Sequence, residues 1–115
     1  MPMIDLNTNV TVSERARLEL ARGLGEAIAL IPGKDEDSLM LRISGNNDMF
    51  FKGRDDIPMA YVRTDLYAQL PDEEYQPFGD AVMRLLGKVL AIPSGNVYLT
   101  IRQIPCWITR GEQYD

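Results

Sequence analysis

Apolar residues recur along this chain with two periods, and the order of those periods repeats. Met3-Ile4-Asp5-Leu6-Asn7-Thr8-Asn9-Val10 is short and β-compatible, and predicts a first strand that begins at the second residue. Thr11 with Glu14 fits a capping box. Leu20, Leu24, Ile28 and Ile31 then follow at helical spacing, with charged residues on the other faces, predicting a helix over about residues 12–31 that Pro32-Gly33 ends. Leu39, Leu41 and Ile43 alternate along a second strand over 39–44, and Gly45-Asn46-Asn47-Asp48 turns the chain. Met49-Phe50-Phe51 reads as a brief extended piece before the charged loop Lys52–Asp56, and Met59–Thr64 as a third main strand. Pro71-Asp72-Glu73-Glu74 opens a second helix with acids at the positive end of its dipole. Phe78, Val82, Leu85, Leu86 and Val89 form its apolar stripe, and Pro77 requires the regular part to begin close by.

An internal echo organises these pieces. Leu30-Ile31-Pro32-Gly33 precedes the strand Leu39–Ile43, and Ala91-Ile92-Pro93-Ser94 precedes the strand Val97–Ile101. Each half therefore reads strand, helix, Ile-Pro stop, strand. Two β-α-β units with right-handed crossovers imply an α+β fold, a four-stranded mixed sheet with both helices on one face. The pattern alone suits any ferredoxin-like sandwich equally well.

Composition narrows the chemistry. The 115 residues, 1–115, suit a single domain. There is no histidine, which removes the usual general base, the commonest metal ligand and every Ser-His or Cys-His pair. Cys106 is the one cysteine, so an internal disulfide and a C-x-x-C redox or zinc pair are excluded, and it reads as a small buried hydrophobe. Hydrophobic residues make up 45% and charged residues 25%, an ordinary globular balance. No apolar run is long enough to span a bilayer, and no basic stretch leads into an apolar one at the N-terminus, so a cytoplasmic protein is expected. The net charge of −5 repels phosphate backbones and disfavours nucleic acid as a partner. Nothing in the sequence calls for a metal or an organic cofactor.

A base that needs no imidazole is available at Met1-Pro2. Removal of the initiator methionine would free a secondary amine, and an apolar pocket with a neighbouring cation would draw its pKa toward neutrality. Lys34, between a helix stop and a strand, could present an ammonium to a carboxylate. Read singly, Met-Pro is a common start and a loop lysine is usually solvated. The acid runs Asp35–Asp37 and Asp72–Glu74 lack calcium-loop spacing and read as solvated. Tyr98 and Trp107 suit either a substrate wall or the core, with the core favoured.

Taken together these residues resemble the macrophage migration inhibitory factor family and its phenylpyruvate tautomerase relatives. The resemblance rests on Pro2-Met3 leading to Asn7-Thr8-Asn9-Val10, on Gly33-Lys34, and on Met49-x-Phe51-x-Gly53 with Pro58. Ile92-Pro93 ahead of Val97-Tyr98 completes it. It covers nearly the whole chain. It implies a homotrimer with sites at subunit junctions, Pro2 as catalytic base and Lys34 as the residue that holds a substrate carboxylate. Met3 and Tyr67 would match wall positions, Trp107 an aromatic wall residue, and Tyr98 and Thr100 would come from the neighbouring chain. The substrate so implied is a phenylpyruvate-like 2-keto acid.

The chain departs from the family at informative places. Met59-Ala60-Tyr61-Val62 replaces a C-x-x-C, which removes a thiol oxidoreductase activity. Thr100 stands for asparagine, Tyr67 for isoleucine and Ser38 for tyrosine, which alters the pocket's size and polarity, and the tail from Ile104 to Gly111 also differs. These changes motivate a rival reading, a non-catalytic cytokine-like or protein-interaction trimer of the same fold. A ferredoxin-like module that binds a small anion is a third reading. A decarboxylase or dehalogenase using the same proline would call for further activating polar residues.

Overall fold

The computed structural model describes residues 1–114. The elements are β1 (Pro2–Thr8), α1 (Glu14–Ile28), β2 (Met40–Ser44), β3 (Ala60–Leu66), α2 (Gln76–Leu90), β4 (Val97–Gln103), β5 (Trp107–Thr109) and β6 (Glu112–Tyr114), with short 3-10 turns before β2, α2 and β4. The main sheet has the order β2-β1-β3-β4. β1 and β2 pair in parallel, as do β3 and β4, while β1 and β3 are antiparallel at the centre. Each parallel pair is joined by one helix, so the two β-α-β halves meet along β1 and β3, as the echo in the sequence predicts.

Strand alternation decides what the sheet hides. Pro2, Ile4, Leu6 and Thr8 of β1, and Ala60, Val62, Thr64 and Leu66 of β3, all point to the helical side and are buried. Against them pack Leu20, Leu24, Ala27 and Ile28 of α1 and Phe78, Val82, Leu86 and Leu90 of α2, in one apolar cluster. Burying each of the larger side chains contributes about 1.5–3 kcal/mol. The two buried polar side chains in this layer differ. Thr8 donates to the Met59 carbonyl at 2.7 Å and accepts from the Val10 amide, whereas the Thr64 hydroxyl finds no partner among the described residues.

The opposite face of the sheet carries no helix. Met3, Asp5 and Asn7 of β1 are flanked by Met40 and Arg42 of β2, by Tyr61, Arg63 and Asp65 of β3, and by Tyr98, Thr100 and Arg102 of β4. Its charges are paired: Arg42 with Asp5 at 2.6 Å, and both Arg63 and Arg102 with Asp65 at 3.3 and 3.2 Å.

Several local expectations are corrected. The cap of α1 is Ser13, whose hydroxyl accepts from the Ala16 amide at 3.1 Å; Thr11 instead bonds Asn46. The helix ends at Ile28, three residues early, because the chain tightens into turns that send the Leu30 and Ile31 amides to Ala27 and Ile28. Leu85 and Val89 lie at the margin of the α2 stripe, and Leu90 takes a central place. Phe51 makes only an isolated bridge to Arg54 around the positive-φ pair Lys52-Gly53, so no strand forms at 49–51. Cys106 is exposed, since it lies in the connection between β4 and β5. Tyr98 is 65% exposed, because the alternation that buries Val97 turns it to the open face.

Candidate active site

The start of β1 is held at three points. Pro2 pairs with Leu66 and is buried. The Met1 carbonyl accepts from the Tyr67 amide at 3.2 Å. Lys34 closes the arrangement: its Nζ donates to the Tyr67 carbonyl at 2.5 Å. Local sequence explains how Lys34 arrives there. Pro32 ends α1, and Gly33 at φ 81°, in the left-handed region that favours glycine, turns the backbone so that the Lys34 amide returns to Ile31. Lys34 and the N-terminus, far apart in the chain, thus share one strand end.

That geometry acts on the terminal amine. Burial holds the Met1 amine below its ordinary value, the positive charge of Lys34 lowers it further, and Asp35 opposes both. An amine at this strand end is therefore biased toward the neutral, basic form.

A cavity of about 520 Å³ opens beside it, lined by Met1, Pro2 and Met3 of the N-terminus and by Ser38, Met40, Asp65, Trp107, Thr109 and others. This is a size suited to a small organic ligand. Met3, Met40 and Trp107 supply apolar surface. Asp65, beside Met3 in the β1–β3 register, is already engaged by two arginines.

The expected site residues divide into two groups. Pro2, Met3 and Trp107 line the cavity; Lys34 and Tyr67 are not among its lining residues and connect instead to Met1, through the Tyr67 backbone, at the strand end. Tyr67 also meets the Tyr114 ring edge-on, with centroids 6.3 Å apart. Tyr98 and Thr100 lie elsewhere. Tyr98 is level with Tyr61 and hence with Asn7, five residues along β1 from Pro2, or about 17 Å. There it packs edge-on against Phe51 at 5.4 Å, beside a small cavity of about 100 Å³. Thr100 shares a 3.1 Å hydrogen bond with the Tyr61 hydroxyl. Within one chain, then, these two residues do not reach Pro2.

Sequence reasoning passed over Met40, Asp65, Thr109 and Arg110 as lining residues. Met40 and Asp65 flank Met3 on the two neighbouring strands, which only the register reveals. For the last two the available signal is Arg110-Gly111, an X-Gly pair between short β-compatible runs, which marks a two-residue hairpin.

Comparison with known proteins agrees with this architecture. No curated protein matches the sequence significantly. Among solved structures, MIF2 of Leishmania major superposes with a TM-score of 0.90 at 21% identity, covering 99% of this chain and 97% of the other. A macrophage migration inhibitory factor homologue from Prochlorococcus marinus gives 0.86 at 22% identity, with 98% and 99% covered. The macrophage migration inhibitory factor-like protein of Entamoeba histolytica gives 0.85 at 16% identity, with 98% of each chain covered. At these identities the likeness speaks for the fold. The sequence model of the macrophage migration inhibitory factor (MIF) family matches residues 1–111, and the chain belongs to that family.

Proposed function

We propose that this protein is a keto–enol tautomerase for phenylpyruvate-like 2-keto acids, working in the cytoplasm as a homotrimer, with Pro2 as its general base once Met1 is removed. The observation that carries the reading is the strand end itself: a buried proline at the mouth of a small-molecule cavity, next to a Met1 amine whose basicity burial and the Lys34 ammonium lower. Met1 acylates the Pro2 nitrogen. Its removal leaves a secondary amine exposed to the same two influences, burial and Lys34.

In the proposed reaction the neutral Pro2 nitrogen takes a proton from the carbon next to the keto group. The C–H electron pair moves into the new carbon–carbon double bond and the keto oxygen gains the charge. Return of a proton to that oxygen completes the enol, and the reverse sequence restores the ketone. Lys34 binds the substrate carboxylate, fixing the acid so that the reacting carbon faces Pro2 and offsetting the charge that develops. Met3, Tyr67 and Trp107 wall the substrate. Tyr98 and Thr100, remote from Pro2 in one chain, would complete the pocket from a neighbouring subunit.

The test follows the enol absorbance of phenylpyruvate with protein shown by intact mass to begin at Pro2. Turnover by the wild type and its loss in Pro2→Gly are expected. Equal rates for the two proteins would exclude the proline as base.

The second reading, a non-catalytic interaction trimer, is favoured by the substitutions at Ser38, Tyr67 and Thr100. It predicts quantitative retention of Met1 in the native source and no turnover of any keto acid.

A further inference from the structure

The wall of the cavity beside Pro2 carries a cationic side chain, Arg110, that the family resemblance does not supply. β5 and β6 form an antiparallel hairpin whose two-residue loop is Arg110-Gly111, and Arg110 lines the cavity together with Trp107 and Thr109. Arg110 and Gly111 both have positive φ, 53° and 73°. A hairpin loop of that shape favours Asn, Asp or Gly at its first position, so arginine is a locally costly choice there.

The guanidinium is exposed and not neutralised. It donates to the Tyr114 hydroxyl at the long distance of 3.5 Å, and that hydroxyl donates in turn to Glu112. Tyr114 is braced by its edge-on contact with Tyr67. Arg110 forms no ion pair among the described residues. Of the acids on the cavity wall, Asp65 is taken by Arg63 and Arg102, and exposed Asp37 remains beyond ion-pair distance. Lys34 is bonded to the Tyr67 carbonyl beside the start of β1, whereas Arg110 sits in the β5–β6 loop on the cavity wall.

We propose that Arg110 is a specificity-determining residue that binds a second anionic group on the substrate, selecting 2-keto acids with a carboxylate at the far end over singly charged ones. The apolar surface of Trp107, Met3 and Met40 would accommodate the ring or chain between the two anionic ends. A planar guanidinium suits such a carboxylate because it can bind both oxygens at once. The class of substrate rests on the tautomerase reading, whereas the binding of the second carboxylate can be measured without turnover.

Trp107, the one tryptophan of the chain, reports on the cavity. Its fluorescence is titrated with two unreactive acids, cinnamate and 4-carboxycinnamate, in wild type, Arg110→Asn and Arg110→Lys. The wild type should bind the dianion roughly ten- to hundredfold more tightly. Arg110→Asn should bring that ratio close to one, and Arg110→Lys should keep part of it. Because asparagine suits the hairpin loop, Arg110→Asn should unfold at the same or a higher urea concentration, so lost selectivity cannot be ascribed to misfolding. Absence of a preference in the wild type, or its survival in Arg110→Asn, overturns the assignment. Failure to turn over both phenylpyruvate and 4-carboxyphenylpyruvate overturns the tautomerase reading and leaves this binding result standing.

Discussion

Replacing Lys34 by methionine removes a charge from the strand end while keeping most of the side chain's length. The ammonium is half-buried and donates to the Tyr67 carbonyl at 2.5 Å, so the change leaves that oxygen without its partner. It also removes the group assigned to the substrate carboxylate. A charge-assisted hydrogen bond of this kind is worth about 1.5–3 kcal/mol, which converts to a loss in kcat/KM of about ten- to 150-fold. A second effect has a fixed sign. Lys34 lowers the basicity of the Met1 amine, and the same charge acting on the Pro2 amine of the processed chain means that its loss should let that amine's pKa rise. The base must be neutral to act, and the acid limb of the kcat/KM–pH profile should therefore move to higher pH in Lys34→Met. Lys34→Arg should hold the acid limb in place while recovering part of the rate, since it restores charge but not shape. Steady-state tautomerisation of phenylpyruvate across pH 5–9 reads both effects. A Lys34→Met enzyme with unchanged kcat/KM and an unmoved acid limb would refute the reasoning.

Three further predictions concern the scaffold. A methyl group at Gly23 would lie 2.5 Å from Leu85 Cδ1, where α1 and α2 pack closely, so Gly23→Ala should lower stability by about 1–3 kcal/mol in urea unfolding. At Gly25 the nearest atoms to the methyl all belong to the exposed Glu36 side chain, which can swing away, and Gly25→Ala should be neutral or stabilising by up to about 1 kcal/mol; the opposite order of the two variants would count against the packing described. Thr64→Val should raise the unfolding midpoint, with a gain of about 1–2 kcal/mol, because it replaces a buried hydroxyl that has no partner by a methyl of similar size. Hydrogen bonding to Arg42 holds the Asp5 carboxyl below its ordinary value. That contribution is present above the ordinary carboxylate range and is lost as pH falls through the lowered value, so Asp5→Asn should shrink the stability difference between pH 7 and pH 2–3.

The main architecture was legible because it is written in two clean periods. Ile4, Leu6, Val62 and Val97 alternate, Phe78, Val82, Leu86 and Leu90 recur every four residues, and the Ile-Pro stops at 31–32 and 92–93 divide the halves. Pro2 and Lys34 could be singled out for their chemistry, yet their meeting depends on Gly33 and on the Tyr67 backbone, which no local pattern announces. The C-terminal hairpin was missed because its strands have three residues each, too few for alternation to show. Its one clear signal, Arg110-Gly111, was also the signal for a cation on the cavity wall. Read singly, Tyr98 favours the core, yet the rule of alternation applied from Val97 turns it outward, as a wall residue offered to a neighbouring chain would be. Thr11 and Glu14 imitated a capping box two residues ahead of the true cap at Ser13, because several residues with capping side chains sit in succession there.

The proposed base is the Pro2 nitrogen, freed by removal of Met1. Its most direct test compares one preparation before and after enzymatic removal of Met1, following the ketonisation of enol phenylpyruvate near pH 7 with intact mass as the control. Activity should rise in proportion to the fraction of chains beginning at Pro2. A rate that is the same with Met1 present or absent would contradict it.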